Sequence, residues 1–142
     1  MTITLIIPGR PVGKARPRAT RQGRVYTPDA TVQAEGNVQA AWHAAGRPRI
    51  EGRVPIRVLA VAALRRPQAH WLADGSMSKA GQRLPYPLRK PDVDNMLKLH
   101  LDSLSGCAYE DDVLVVDGRA VKRWGAPQEL EHVRLEISEV AL

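Results

Sequence analysis

The sequence predicts an α/β fold, a single-domain mixed β-sheet with two main helices in the order β-α-β-α-β-β. Three observations carry this reading. Short runs rich in Val, Ile and Leu alternate with two longer segments of helical period. Gly and Pro punctuate the junctions between them. The 142 residues are enough for one substantial core and too few for two. Residues 1–142 therefore read as one domain carrying a basic arm at 8–25 and a long basic loop at 65–90.

Thr2 to Ile7 (TITLII) is β-branched and stopped by Pro8-Gly9, so it reads as the first strand. Residues 8–25 hold Arg10, Lys14, Arg16, Arg18, Arg21 and Arg24 and no acid, with a hairpin tip expected around Arg21-Gln22-Gly23. Thr27-Pro28-Asp29 opens a helix, with Thr27 as N-cap and Pro28 at the first helical position. It runs to about Ala45, burying Val32, Val38, Ala41 and Trp42, and Gly46 stops it. Val54 to Leu64 is nearly continuous in apolar residues, as expected of a central strand buried on both faces.

Residues 65–90 interrupt the pattern with five basic residues ahead of Lys90, plus Trp71 and Tyr86, and read as a long exposed loop. Its aromatics could stack on unpaired bases or cover the loop against the core. Asp94 to Leu104 forms a second helix with Leu97, Leu101 and Leu104 inward; Leu99 lies off that stripe and is a candidate for a dimer face. Val113 to Trp124 is one long strand or a strand pair, with a bend expected at Asp117-Gly118. His132 to Val140 alternates, Val133, Leu135 and Ile137 facing one way.

Composition narrows the function classes. Hydrophobic residues at 44% and charged residues at 25% belong to a globular chain, not a disordered one. The single Cys107 excludes an intramolecular disulfide, and Gly106-Cys107 reads as a turn. His43, His70, His100 and His132 lack ligand spacing. No apolar run approaches the roughly 20 residues of a membrane span, and Pro8, Gly9 and Arg10 break any leader-like segment, so a cytoplasmic location is expected. The net charge of +6 is unevenly spread: residues 1–90 carry +12 and residues 91–142 carry −6. A basic part beside an acidic part suits a protein that grips a polyanion and gathers carboxylates at one spot.

Those carboxylates lie in Lys90-Pro91-Asp92-Val93-Asp94-Asn95-Met96-Leu97-Lys98 and in Glu110-Asp111-Asp112. Asp92 and Asp94 flank one residue where a loop becomes a helix, and free N–H groups there favour anionic side chains. Lys98 projects one turn beyond Asp94 on the same side. If the chain turns at Gly106 and a strand beginning at Asp112 returns to the start of the helix, three carboxylates and one ammonium converge. Such a set suits Mg²⁺, which takes oxygen ligands and keeps several waters, and it suits metal-assisted phosphodiester hydrolysis. Taken singly, each acid is equally well a helix cap or a turn residue.

The stretch from Arg89 to Lys122, R-K-P-D-V-D-N-M-L-K-L-H-L-D-S-L and then Y-E-D-D-V-L-V-V-D-G-R-A-V-K, resembles the RusA family of Holliday-junction resolvases, found in phages, prophages and bacterial genomes. I-P-G-R-P-V-G-K-A-R-P-R and G-R-V-Y-T-P near the N-terminus are similar to many members as well. The resemblance implies that Asp92, Asp94 and Asp112 are catalytic, metal-binding aspartates and that Lys98 is a catalytic lysine. Asn95 and Asp111 match family positions in a supporting role. It also implies Mg²⁺ as cofactor, with Mn²⁺ able to substitute, and a homodimer that makes paired nicks in a four-way DNA junction. Lys14, Arg16, Arg18, Arg21, Arg24, Arg89 and Lys90 are the residues expected to contact DNA. The long 65–90 segment and the arginine-rich arm depart from compact members.

Two other functions compete with this one. A non-enzymatic DNA-binding protein, such as a phage regulator, would use the same basic face, but it gains nothing from carboxylates near phosphates. A restriction-type nuclease would cut linear duplex. Pro91-Asp92 matches the opening of its motif, yet no acid-x-Lys follows at strand spacing.

Overall fold

The computed structural model describes residues 1–141; Leu142, the last residue of the expected domain, lies outside the described residues. Strands β1 (Thr2–Pro8), β4 (Ile56–Leu64), β5 (Val115–Trp124) and β6 (His132–Glu139) form one sheet in the order β1-β6-β4-β5. β6 pairs antiparallel with β1 and β4, while β4 and β5 are parallel, so the sheet is mixed as expected. A second, two-stranded sheet joins β2 (Arg18–Ala19) to β3 (Val25–Tyr26) around the anticipated tip, where Gly23 takes φ +80°. Two long helices, α1 (Asp29–Ala44) and α3 (Val93–Leu104), and a one-turn helix α2 (Lys79–Gln82) complete the α/β fold.

Alternation along the strands builds the core. Ile3, Leu5, Ile7, Val58, Ala60, Ala62, Val133, Leu135 and Ile137 point to one side of the sheet and meet Val38 of α1 and Met96 and Leu104 of α3. The other face carries exposed Ile6, Arg57, Arg119, Val121 and Arg134. The expectation that β4 is buried on both faces is thus corrected: helices cover one side only, and Leu59 and Val61 are half-buried.

Other expectations shift as well. Pro28, not Thr27, occupies the α1 N-cap position, with extended backbone and no side-chain cap; its carbonyl accepts from the N–H groups of Thr31 and Val32. α1 buries Thr31, Ala34 and Val38, which turns Val32 outward to 56% exposure. Leu99 is not on a free face: it is 1% exposed, because α3 packs against α1 as well as the sheet and so buries two stripes instead of one. Val115–Trp124 is one strand; its irregularity is a register shift at the Val115–Asp117 step, one residue earlier than the expected bend.

The largest correction concerns residues 65–90. They fold into a compact segment with a 3₁₀ turn at Gln68–His70, α2, and a bridge between Trp71 and Met77. The Arg66 guanidinium donates to the carbonyls of Gly81 and Leu84, and Trp124 donates its indole N–H to the same Leu84 carbonyl at 2.8 Å. His70 and Gly81 are buried. Trp71 is half-buried and Tyr86 exposed.

Candidate functional site: an acidic helix beside a basic arm

α3 organises the site. Asp92 sits at its N-cap position and Asp94 in its first turn, both exposed; the Asn95 amide donates to Asp92 at 3.4 Å. Lys98 follows one turn on, exposed and with no ion pair among the described residues. One turn further stands Asp102, half-buried, so Asp94, Lys98 and Asp102 line one face at intervals of four residues.

The chain then turns tightly. Gly106 adopts φ +79°, where a glycine is favoured, and the Tyr109 hydroxyl donates to the Leu101 carbonyl at 2.8 Å. Asp111 caps a 3₁₀ turn, Asp112–Leu114, by accepting from the Val113 N–H, and the Asp112 N–H donates to Ser105 Oγ at 3.0 Å. These contacts hold Asp112 against the last turns of α3, facing Asp102. Strand β5 begins only at Val115 and carries the chain back toward the start of α3 after Asp112 has been placed.

The electrostatics report this neighbourhood. The Asp112 carboxyl is held above the usual carboxylate range, first by its hydrogen bond with Asp111, then by partial burial and the negative charges of Asp111 and Asp102. Asp111 is held below that range by the Val113 N–H and by the same shared bond. Burial, then the Asp112 and Asp102 charges, push the Tyr109 hydroxyl up, so it stays a neutral donor.

Asp92 and Asp94 are therefore not gathered with Asp112 in one chain. Asp94 and Asp102 are separated by about 12 Å of helix rise, and among the described residues no three His, Cys, Asp or Glu side chains form a metal-holding group. Asp102 is the residue that sequence reading missed. Its signal was its spacing, four residues after Lys98 and eight after Asp94, inside the very motif that singled out its neighbours.

The expected DNA contacts divide. A cleft of about 430 Å³ is walled by Arg10, Lys14, Arg16 and Lys90, with Asp92 and Asn95 also lining it. The side chains of Arg16, Arg18, Arg21 and Arg24 have no hydrogen-bond or ion-pair partner among the described residues. Lys14 instead pairs with Asp102 at 2.6 Å and stands 3.8 Å from Glu35. Arg89 donates to the Arg65 carbonyl at 3.0 Å and lies over the Trp124 ring.

Carboxylates along a helix beside unpaired guanidinium groups are the makeup of a protein that acts on a phosphate backbone. The comparisons give the particular family. A match to Endodeoxyribonuclease RusA spans residues 8–137, and the chain belongs to that family. It is also similar to the uncharacterized protein YqaN of Bacillus subtilis (strain 168), 30% identical over 139 residues, which are 96% of this chain and 97% of that protein. The family assignment implies endodeoxyribonuclease activity, with branched DNA as the target. No helix among the described residues is long and apolar enough to cross a membrane.

Proposed function

We propose that this chain is a divalent-metal-dependent endodeoxyribonuclease that resolves four-way and other branched DNA by paired nicks, working as a homodimer in the cytoplasm. The observation that carries the proposal is the acidic face of α3, from Asp92 and Asp94 past Lys98 to the Asp102–Asp112 contact, beside a cleft whose basic walls include Arg10, Arg16 and Lys90, none of them ion-paired among the described residues. The donor chemistry fits a hard cation: Asp112 is raised by its hydrogen bond with Asp111, by partial burial and by the Asp111 and Asp102 charges, and Mg²⁺ or Mn²⁺ beside it would offset that negative charge. Asp92, Asp94 and Asp112 would hold the ion, with Asn95 and Asp111 orienting their neighbours. The ion would supply an activated water and neutralise phosphate charge. Lys98, unpaired on the same face among the described residues, would meet negative charge developing on the phosphate.

The separation of Asp92 and Asp94 from Asp112 within one chain supports the dimer. A twofold partner is the simplest arrangement in which the start of one α3 and the 3₁₀ turn of another share an ion, and it also supplies two sites for two nicks. The whole region 1–142 acts as one nuclease domain in this reading.

The test is nicking of a synthetic four-way junction against matched linear duplex, with and without Mg²⁺. Asp92→Asn, Asp94→Asn and Asp112→Asn should each lose cleavage by orders of magnitude while junction binding persists. Cleavage at the unsubstituted level by two of the three would overturn the ligand assignment. Metal-independent cleavage, or equal cutting of linear duplex, would overturn the reaction or the substrate.

A further inference from the structure

Residues 13–15 cross both long helices, and each makes its own contact. Gly13 lies so near α3 that a Cβ there would stand 3.0 Å from the Asn95 Cβ and 3.6 Å from backbone atoms. The Lys14 N–H donates to the Asn95 carbonyl at 3.0 Å, while its ammonium reaches along the helix to Asp102 at 2.6 Å and stands 3.8 Å from Glu35 of α1. Asn95 and Asp102 are seven residues apart, two turns along one stripe, so a single residue spans both turns. The Ala15 N–H donates to Oγ1 of Thr31, a buried residue of α1. From Arg16 onward the arm's guanidinium groups have no side-chain partner among the described residues. The chain thus passes from fixed to free within two residues.

Lys14 also touches the acid cluster at its less exposed end, since Asp102 in turn faces Asp112. Its ammonium is held protonated above the usual lysine range, by the Asp102 hydrogen bond first and then by the Asp102 and Glu35 charges. Two carboxylates beside this ammonium offset its charge and weaken its pull on a phosphate. We propose that Gly13-Lys14-Ala15 is a clamp that registers the basic arm over α3, with Lys14 a positioning residue that holds Asp102 beside Asp112 and does not itself contact DNA. The effect on cleavage rests on the nuclease reading above; the clamp itself does not.

Lys14→Met, Lys14→Arg, Gly13→Ala and Asp102→Asn test it, alongside the triple change Arg16→Ala, Arg18→Ala and Arg21→Ala. Trypsin should cut the native protein after Arg18, Arg21 and Arg24 several-fold faster in Lys14→Met and Gly13→Ala, and Lys14→Arg should restore most of the protection. Lys14→Met and Asp102→Asn should be non-additive in this readout, because either removes the same contact. For a junction substrate, Lys14→Met should lower kcat roughly tenfold or more through misplacement of the strand, with KM within about twofold. The dependence of log affinity on log salt should keep its slope in Lys14→Met and lose about 0.9 per removed phosphate contact in the triple variant. Unchanged trypsin rates, additivity with Asp102→Asn, or a slope reduced by about 0.9 in Lys14→Met would overturn the clamp. A loosened arm with unchanged kcat would overturn its registering role. If no branched DNA is cut by any form, the nuclease reading fails, and the proteolysis and double-variant arms still decide the clamp.

Discussion

Residues 10–24 and 65–90 each carry six basic side chains, yet the two segments dispose of them differently. In the arm, Arg16, Arg18, Arg21 and Arg24 meet no carboxylate or carbonyl among the described residues, and the local structure is a hairpin of two-residue strands. In the second segment Arg65, Lys79, Arg83 and Lys90 likewise have no side-chain partner among the described residues, but Arg66 and Arg89 lie over the Trp124 ring, 5.2 and 5.5 Å from its centroid, and donate to carbonyls of their own segment. His70 meets the same indole edge-on. The difference lies in what each segment can fold against. From Arg16 to Arg24 every residue of the arm is exposed, whereas 65–90 lies beside the tryptophan that ends β5. A charge count measures how many cations a chain owns; the carbonyls and rings nearby decide how many remain for a polyanion.

The strongest way to break this comparison is Trp124→Ala. Two guanidinium groups and His70 would lose their common platform, and the Leu84 carbonyl would lose one of its donors. Thermal and denaturant unfolding should show a loss of about 2–3 kcal/mol, below the cost of emptying a full core site because Trp124 is only half-buried. A loss under about 0.5 kcal/mol would show that the segment stands without its ring. The reverse experiment is the triple change at Arg16, Arg18 and Arg21. Stability should hold within about 0.5 kcal/mol, while the salt dependence of DNA affinity should flatten by about 2.7 in log–log slope for three lost contacts. Next in size comes Arg66→Ala, which removes two charge-assisted bonds and one cation–π contact. It should cost about 1–2 kcal/mol of stability and leave the salt slope alone. A flattened slope there would mean that 65–90 also grips DNA.

What the sequence made legible follows from the range of the forces involved. The β-branched run of β1, the alternation in β6, the turn at Gly23 and the stop at Gly46 are local, and the structure agrees with them. Leu99 was misplaced because a single apolar stripe describes a helix with one neighbour, and α3 has two. The 65–90 segment read as a loop because its order comes from Trp124, more than thirty residues away and itself unremarkable in sequence. The acids proposed for the site stand out by their spacing, but where each lies in the fold does not follow from it. Asp112 was expected at the start of α3, and the hydrogen bonds of Ser105, Tyr109 and Asp111 place it against the last turns instead. Asp102 and Lys14 were in plain view as charges, and only the crossing of residues 13–15 over α3 shows that they belong together.

The smallest effect expected is a pH dependence that separates the two segments. Glu129 accepts hydrogen bonds from Nη1 and Nη2 of the Arg123 guanidinium and from the Ala126 N–H, and these bonds, the arginine's first, hold its carboxyl down to about 2 from an ordinary 4.5. The pair ties the 125–131 turn beside Trp124, and Glu131 in the same turn accepts from the Arg65 N–H. Because the folded carboxyl releases its proton more readily than the unfolded one, its contribution is fully present above about pH 4.5 and fades as pH falls from there toward about 2. Asp112 runs the other way: its raised carboxyl is a source of repulsion at neutral pH that protonation relieves. Glu129→Gln should therefore lower Tm modestly at pH 7 and leave it closer to the native value at pH 3, and a gap that stayed constant would remove the pair from the account. Residues 8–25 hold no acid of their own, so amide exchange should loosen at 125–131 and 65–70 with falling pH before it changes at the hairpin tip. Simultaneous loosening of both would mean that the segments, for all their difference in charge use, open as one unit.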